Sequence, residues 1–362
     1  MNDDLGYWLA LTRFRKFGAM RFKKLTVSFP TMQEAFCAGR NELIRAEIEP
    51  ALADEFLVAR ESIDPQKELA LLAEHDAHAV TVNDPAYPPL LKSIYDPPPV
   101  LFIRGTLPDS QRPHLAVVGS RHPSSYGQTV VRDLIEPLAE SGVVIVSGLA
   151  YGIDALAHRA AIEKRGATIA VLGAGLDHDN IYPTQHRALA SSIVAAGGAL
   201  VSEFPIGTHA LKQHFPFRNR VIAGLCRATL VIEAAAKSGS LITARSALES
   251  GREVLAVPGS IHSSLSEGPN NLIKMGATPV TAIDDILQSF GLVKPNAKPQ
   301  DAYVPGSREE KTLRDLLSQD PLHIDELVDR SALPAKTVTA TLTLMEMKSA
   351  ARHIGGMYYV RR

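Results

Sequence analysis

The sequence predicts an α/β protein: a mostly parallel sheet covered by helices, with a small all-α region before it and a winged helix after it. Three observations carry this. Between residues 114 and 290, short aliphatic runs recur as LAVVG, VVIVSG, TIAVLG, GALVSE, ATLVIEA and EVLAVPG. Amphipathic stretches such as IDALAHRAAIEKR and SLITARSALESGR separate most of them. On either side of that window the alternation stops. Continuous aliphatic strands spaced by helices imply a parallel sheet buried on both faces.

In chain order, residues 1–80 read as short helices, because YWLALTRF, RFKKLTVSF, TMQEAFCAG and the run from Ala51 to Leu72 repeat apolar residues every three to four positions. Gly18, Pro30 and Gly39 punctuate them. The proline-rich DPAYPPLLKSIYDPPPVLFIRG leads into a short apolar strand and opens the sheet domain, 81–290. GLVKPNAKPQDAYVPGS, residues 291–307, has the polar, Pro/Gly-rich character of a linker. From 308 to 362 the order is three helices and then a hairpin in ARHIGGMYYVRR, turning at Gly355–Gly356, which is the order of a winged helix.

A formal net charge of −1 places any electrostatic site in a local patch. Two distant cysteines, Cys37 and Cys226, do not make a disulfide framework and fit a reducing compartment. The opening MNDDLGYWLALTRFRK has acids where a secretory signal carries positive charge. No run approaches the roughly 20 apolar residues of a membrane span. A soluble cytoplasmic protein is expected, without a membrane partner.

Loops at the carboxyl ends of parallel strands share one rim, where ligands of such sheets bind. That rim comprises Gly119, Ser147–Gly148, Gly173–Gly175, Ser202–Glu203 and Ala234–Gly239. The first loop, in HLAVVGSRHPSSYGQ, lacks both the three-glycine dinucleotide fingerprint and the P-loop pattern. Gly119, Ser120 and Arg121 instead offer a backbone turn at a helix start, a hydroxyl and a guanidinium: a phosphate cradle with no cofactor pocket. A second cradle is Ser238, Gly239 and Ser240 before an amphipathic helix, with Thr243 in its first turn; Ser240 reads equally as an N-cap.

HALKQHFPFRNRVIAGLCR, residues 209–227, interleaves Lys212, Arg218, Arg220 and Arg227 with Phe215 and Phe217, and no carboxylate occurs between Glu203 and Glu233. Cations beside aromatics suit a single strand of nucleic acid, though the same residues fit a helix whose arginine buries its stem. Another basic run, RFRKFGAMRFKK, holds Arg13, Arg15, Lys16, Arg21, Lys23 and Lys24 and reads as a solvated helix face or a phosphate-contacting hairpin. The helix PAKTVTATLTLMEMKS has only Lys336 before Lys348, so a protein contact or packing suits it better than DNA reading. Asp154 with His158, and Asp177–His178–Asp179, lack the third ligand or paired carboxylate that a metal or acid–base site needs; they read as a helix-face pair and a turn.

The blocks VVGSRHPSSYG, IVSGLAYGIDALAH, VLGAGLDHDNIYP, LVSEFPIGTHALKQHFPFRNRVIAGL, VIEAAAKSGSLITARSALESGREVLAVPG and GPNNLIKMGA, running in order from 114 to 277, resemble the DNA-processing protein A (Smf) family of bacteria. The resemblance implies a Rossmann-like domain that binds single-stranded DNA, without catalysis or cofactor, and promotes loading of the RecA recombinase during natural transformation. By the same resemblance Arg121 is the loop arginine, Gly119 and Ser120 contact phosphate, Lys212 is the pocket lysine and Phe215 stacks a base. Arg218 and Asn219 continue that motif, and Ser240 and Thr243 lie in the second cradle. It also implies a homodimer formed through roughly Asn271 to Val280, and a first domain like a sterile alpha motif. The first domain departs from a helix–hairpin–helix DNA motif, with Phe17–Gly18–Ala19 where G-x-G is preferred.

The alternative is an enzyme resembling nucleoside-monophosphate phosphoribohydrolases, whose P-G-G-x-G-T-x-x-E loop supplies a glutamate to the ribosyl carbon. In KSGSLITARSALE, Ala247 stands one turn past Thr243 without a carboxylate, and Glu249 arrives later on the helix.

Overall fold

The structure, a computed structural model, describes residues 3–292, 305–318, 320–348 and 350–361. It forms two compact units, divided between Val293 and Lys294. In the first, six short helices come first: α1 (Asp3–Arg13), α2 (Ala19–Ser28), α3 (Met32–Cys37), α4 (Arg40–Arg45), α5 (Pro50–Arg60) and α6 (Pro65–Glu74). Their starts are encoded locally. Thr31 accepts the Glu34 N–H, Asp64 accepts the Gln66 N–H, and prolines occupy the first turns of α5 and α6. Trp8 stacks on Phe22 at 5.8 Å between centroids, and Phe56 meets Phe14, Phe17 and Phe36. This aromatic core continues without a break into Phe102, Ile193 and Leu200, so the helices share one apolar cluster with a face of the sheet.

That sheet has the order β1-β2-β6-β5-β4-β3-β7-β8-β9. Its parallel body is β3 (His114–Val118), β4 (Val144–Ser147), β5 (Thr168–Val171), β6 (Ala199–Ser202), β7 (Ala228–Val231), β8 (Glu253–Ala256) and the short β9 (Thr278–Pro279). β1 (Ala77–Thr81) and β2 (Val100–Gly105), with the one-turn α7 (Pro89–Lys92) between them, extend the β6 edge antiparallel. The remaining helices are α8 (Ser125–Glu140), α9 (Ile153–Glu163), α10 (Arg187–Ala195), α11 (His214–Gly224), α12 (Ser240–Glu249), α13 (Glu267–Lys274) and α14 (Ile283–Ser289).

Every residue of β3 is buried, and alternate side chains serve opposite layers. Leu115 and Val117 cluster with Val131 and Ile135 of α8 and with Ala157 of α9, whereas Ala116 and Val118 cluster with Val221 of α11 and Ala244 of α12. Double-sided burial is why these strands read as unbroken aliphatic runs. The topological switch lies at β3, whose neighbours are β4 and β7.

The second unit has α15 (Arg308–Leu316), β10 (Leu322–His323), α16 (Ile324–Ser331), α17 (Ala335–Met347), β11 (Ala351–His353) and β12 (Tyr358–Arg361), with strand order β10-β12-β11. Leu313, Leu327, Val338, Leu342 and Tyr359 fill its core. The hairpin turns at Gly355 and Gly356, both at positive φ, as their sequence position requires. Most of the expected linker, residues 293–304, lies outside the described residues. Among the described residues no helix is long and apolar enough to cross a membrane.

Candidate nucleic-acid interface

Gly119 follows the last residue of β3, as the rim requires, but α8 does not start there. Its N-cap is Ser124, whose hydroxyl accepts the Gly127 N–H. The expectation that Gly119–Arg121 forms a helix start therefore fails, and the reason is Glu233. This buried carboxylate, just past β7, accepts the Ser124 N–H at 2.9 Å and the Ser124 hydroxyl at 2.5 Å. The anion position at the α8 N-terminus, set at the topological switch, is filled by the protein's own side chain. Gly119 is needed for packing: a Cβ there would lie 2.7 Å from Ile153 and 3.0 Å from the Glu233 carbonyl.

The loop instead presents its outer side. Ser120 is buried, holds the Ile153 N–H on its carbonyl (3.0 Å) and accepts the His122 N–H on its hydroxyl (3.1 Å). Arg121 stands exposed, with no carboxylate partner among the described residues. It lines a small concavity with Gly148, Tyr151, Tyr182, Phe215 and Arg218. Phe215, in the first turn of α11, is half-buried; its ring lies 5.7 Å from that of Tyr182. A Cβ on Gly173 would sit 3.1 Å from the Phe215 ring, so bare backbone at the end of β5 supports it. Lys212, three residues earlier, is exposed and unpaired among the described residues.

Beneath this surface the other arginines of the stretch are taken up by the fold. Arg218 is 4% exposed; its guanidinium donates to the carbonyls of Gly148 and Val171 and to the Asn219 side chain. Burial lowers it to about 10, opposed by the nearby Asp154 carboxylate, so it stays protonated at neutral pH. Asp154 in turn is pushed up by burial, against Arg218 and the Gly148 and Ala150 N–H groups that it accepts. Arg220 pairs with Glu203 and with Asp96, at 3.2 Å for the latter. A gap in carboxylates along the sequence is thus not a gap in space. Arg227 and Phe217 are exposed.

Two side chains of the second cradle also turn inward. Ser240 and Thr243 are buried against α11, and Asn219 Nδ2 donates to the Gly239 carbonyl at 3.3 Å. Gly239, not Ser240, is the N-cap residue of α12, while the Ser238 and Ser240 hydroxyls bond each other at 2.8 Å. Glu249, the carboxylate weighed for the hydrolase alternative, pairs with Arg245 on the exposed face of α12. His158 is fully buried against Thr168 and is lowered to about 3 by that burial. Asp177 accepts the Gly207 N–H as a turn-former. Among the described residues no three His, Cys, Asp or Glu side chains group as metal ligands.

Sequence reasoning missed Tyr151 and Tyr182. Tyr182 is half exposed, and its signal was an aromatic set among turn-formers in HDNIYP. Tyr151 stands two residues after Leu149, which holds the left-handed φ of +57° and whose carbonyl accepts from His186 Nδ1 at 2.8 Å.

With the geometry established, a family model described as DNA recombination-mediator protein A matches residues 78–291, more than half the chain. The chain belongs to that family. A second family model, the DprA winged helix domain, matches residues 296–357. Among relatives of the family, the chain is 42% identical to Protein Smf of Escherichia coli over 306 residues, covering 83% of this chain and 81% of that protein. It is 47% identical to the DNA processing protein DprA of Streptococcus pneumoniae over 210 residues, 58% of this chain and 73% of that one. The solved DNA processing protein A of Streptococcus pneumoniae superposes with a TM-score of 0.64 at 37% identity, over 78% of this chain and 97% of its own. A solved DNA processing protein A of Helicobacter pylori, described by its single-stranded DNA binding mode, has a TM-score of 0.52 at 27% identity, over 60% of this chain and 97% of its own. The family is one of recombination mediators, and its parallel Rossmann-like sheet and winged helix are those described above.

Proposed function

We propose that the rim built by Arg121, Lys212 and Phe215 binds single-stranded DNA and that the protein mediates its transfer to the RecA recombinase in a bacterial cytoplasm, without catalysis. One observation carries the reading: two exposed cations that the fold does not neutralise stand on the same rim as an aromatic pair, the half-buried Phe215 and the half-exposed Tyr182. Phosphates meet the cations, and an unpaired base stacks on the rings, an interaction that contributes about 1–3 kcal/mol per base. Gly119 and the buried Ser120 shape the turn that carries Arg121. Arg218, Asn219, Ser240 and Thr243 act from below, holding the loops that form the groove. The single-stranded DNA binding mode described for the Helicobacter pylori protein supports the same ligand here.

Two cations per protomer predict a log–log salt slope of about −1.4 for one protomer on a single strand. Binding by one copy is then modest, and a homodimer presenting two sites to one strand gains by effective concentration. The exposed Met275 and the edge strand β9, within the region 271–280, support a dimer there. Band shifts with single- and double-stranded oligonucleotides, with and without RecA, test the reading; equal affinity for both forms would overturn it.

A further inference from the structure

Four members of the N-terminal basic run form ion pairs within their own helical region, Arg13 with Glu68, Lys16 with Glu55, Arg21 with Glu49 and Lys24 with Glu47, while the Lys23 side chain has no partner among the described residues. Arg15, in the turn between α1 and α2, does something different. Its Nη1 lies 2.7 Å from Nε2 of His214, a residue 199 positions away. Its guanidinium also sits over the Phe204 ring, 5.1 Å from the centroid, and Phe204 stacks on the His214 imidazole at 4.4 Å and 19°. The histidine is fully buried, and its other nitrogen, Nδ1, faces the Gly173 carbonyl at 3.1 Å. A carbonyl only accepts and a guanidinium only donates, so the ring is neutral, with its proton on Nδ1. Burial and the neighbouring Arg15 charge both push the imidazolium form down, in agreement.

His214 is the first residue of α11; Phe215 follows it, and Gly173 is the backbone on which Phe215 rests. We propose that Arg15 is a positioning residue for the DNA-binding rim: through His214 and Phe204 the N-terminal helices hold the start of α11, and with it Lys212 and Phe215, in binding geometry. The helical region then serves the interface as a clamp and not as a DNA-binding module of its own. This inference rests on the reading of the rim given above, and its test separates the two.

The experiment compares the full-length protein with Arg15→Ala, Arg15→Lys, His214→Phe and the Arg15→Ala/His214→Phe double variant. Without DNA, amide hydrogen exchange over residues 211–217 is expected to rise at least about fivefold in Arg15→Ala while the sheet keeps its protection. Unchanged exchange there, or acceleration across the whole unit, overturns the clamp. With a single-stranded oligonucleotide, Arg15→Ala is expected to bind about tenfold more weakly, the double variant no more weakly than His214→Phe alone, and Arg15→Lys to recover part of the loss. The salt slope must not change: a slope shallower by about 0.7 would make Arg15 a phosphate contact, overturning the positioning role. If the parent binds no oligonucleotide while local exchange still responds, the DNA reading falls and the clamp stands.

Discussion

Two stretches of this chain look alike in sequence and differ in what their charges do. The run from Arg13 to Lys24 and the stretch from Lys212 to Arg227 are both rich in cations and interleaved with phenylalanine. In the first, carboxylates from α4 to α6 meet most of the cations, and Arg15 turns toward His214. In the second, Arg218 is buried and Arg220 is paired, yet Lys212 stays open, as does Arg121 on its own loop. What matters for binding a polyanion is the charge left over after folding, not the number of cations.

Four measurements break or sharpen that contrast. The largest effect belongs to the buried cation. Arg218→Ala strips the Gly148 and Val171 carbonyls of their donor and leaves Asp154 buried without its counter-charge. A loss of about 3–5 kcal/mol in denaturant unfolding is expected. A loss below about 1 kcal/mol would mean that the guanidinium is a bystander. Next come the open cations. Arg121→Glu combined with Lys212→Glu should eliminate oligonucleotide binding and leave Tm near the parent's, while each single glutamine variant flattens the salt slope by about 0.7. A large fall in Tm would show these residues to be structural. Phe215→Ala should weaken binding by about 1–3 kcal/mol with the slope intact, because a ring and not a charge is removed. The smallest effect tests the other half of the contrast. Arg21→Gln and Lys24→Gln remove cations that already have partners, so affinity and salt slope should match the parent. A flatter slope would put the N-terminal run on the DNA.

Much of the architecture is legible without coordinates, for a reason visible in β3. A strand buried on both faces must be apolar at every position, and an amphipathic helix must carry its stripe, so LAVVG and SLITARSALESGR announce themselves. The elements that escape are those with weaker constraints: β1 is partly exposed, and β9 and β10 are two residues each. The rim follows from the parallel order alone: Gly119, Gly148 and Gly173 stand just past the ends of the neighbouring strands β3, β4 and β5. Tyr182 joins them from a turn after β5 that has no periodicity to announce it.

By itself, the sequence determined which of the longer segments are strands and helices, that the central strands run parallel, and that Arg121 and Lys212 fall in loops that follow such strands. These follow from local hydrogen-bonding and burial patterns that repeat along the chain. Only the tertiary structure decided which cations remain available. Glu233 reaches the α8 N-terminus across 109 residues, Arg218 reaches Gly148 across 70, and Arg15 reaches His214 across 199. Such pairings depend on distances between segments that no local pattern encodes, and they separate the charges that hold the fold from those left unpaired at the surface.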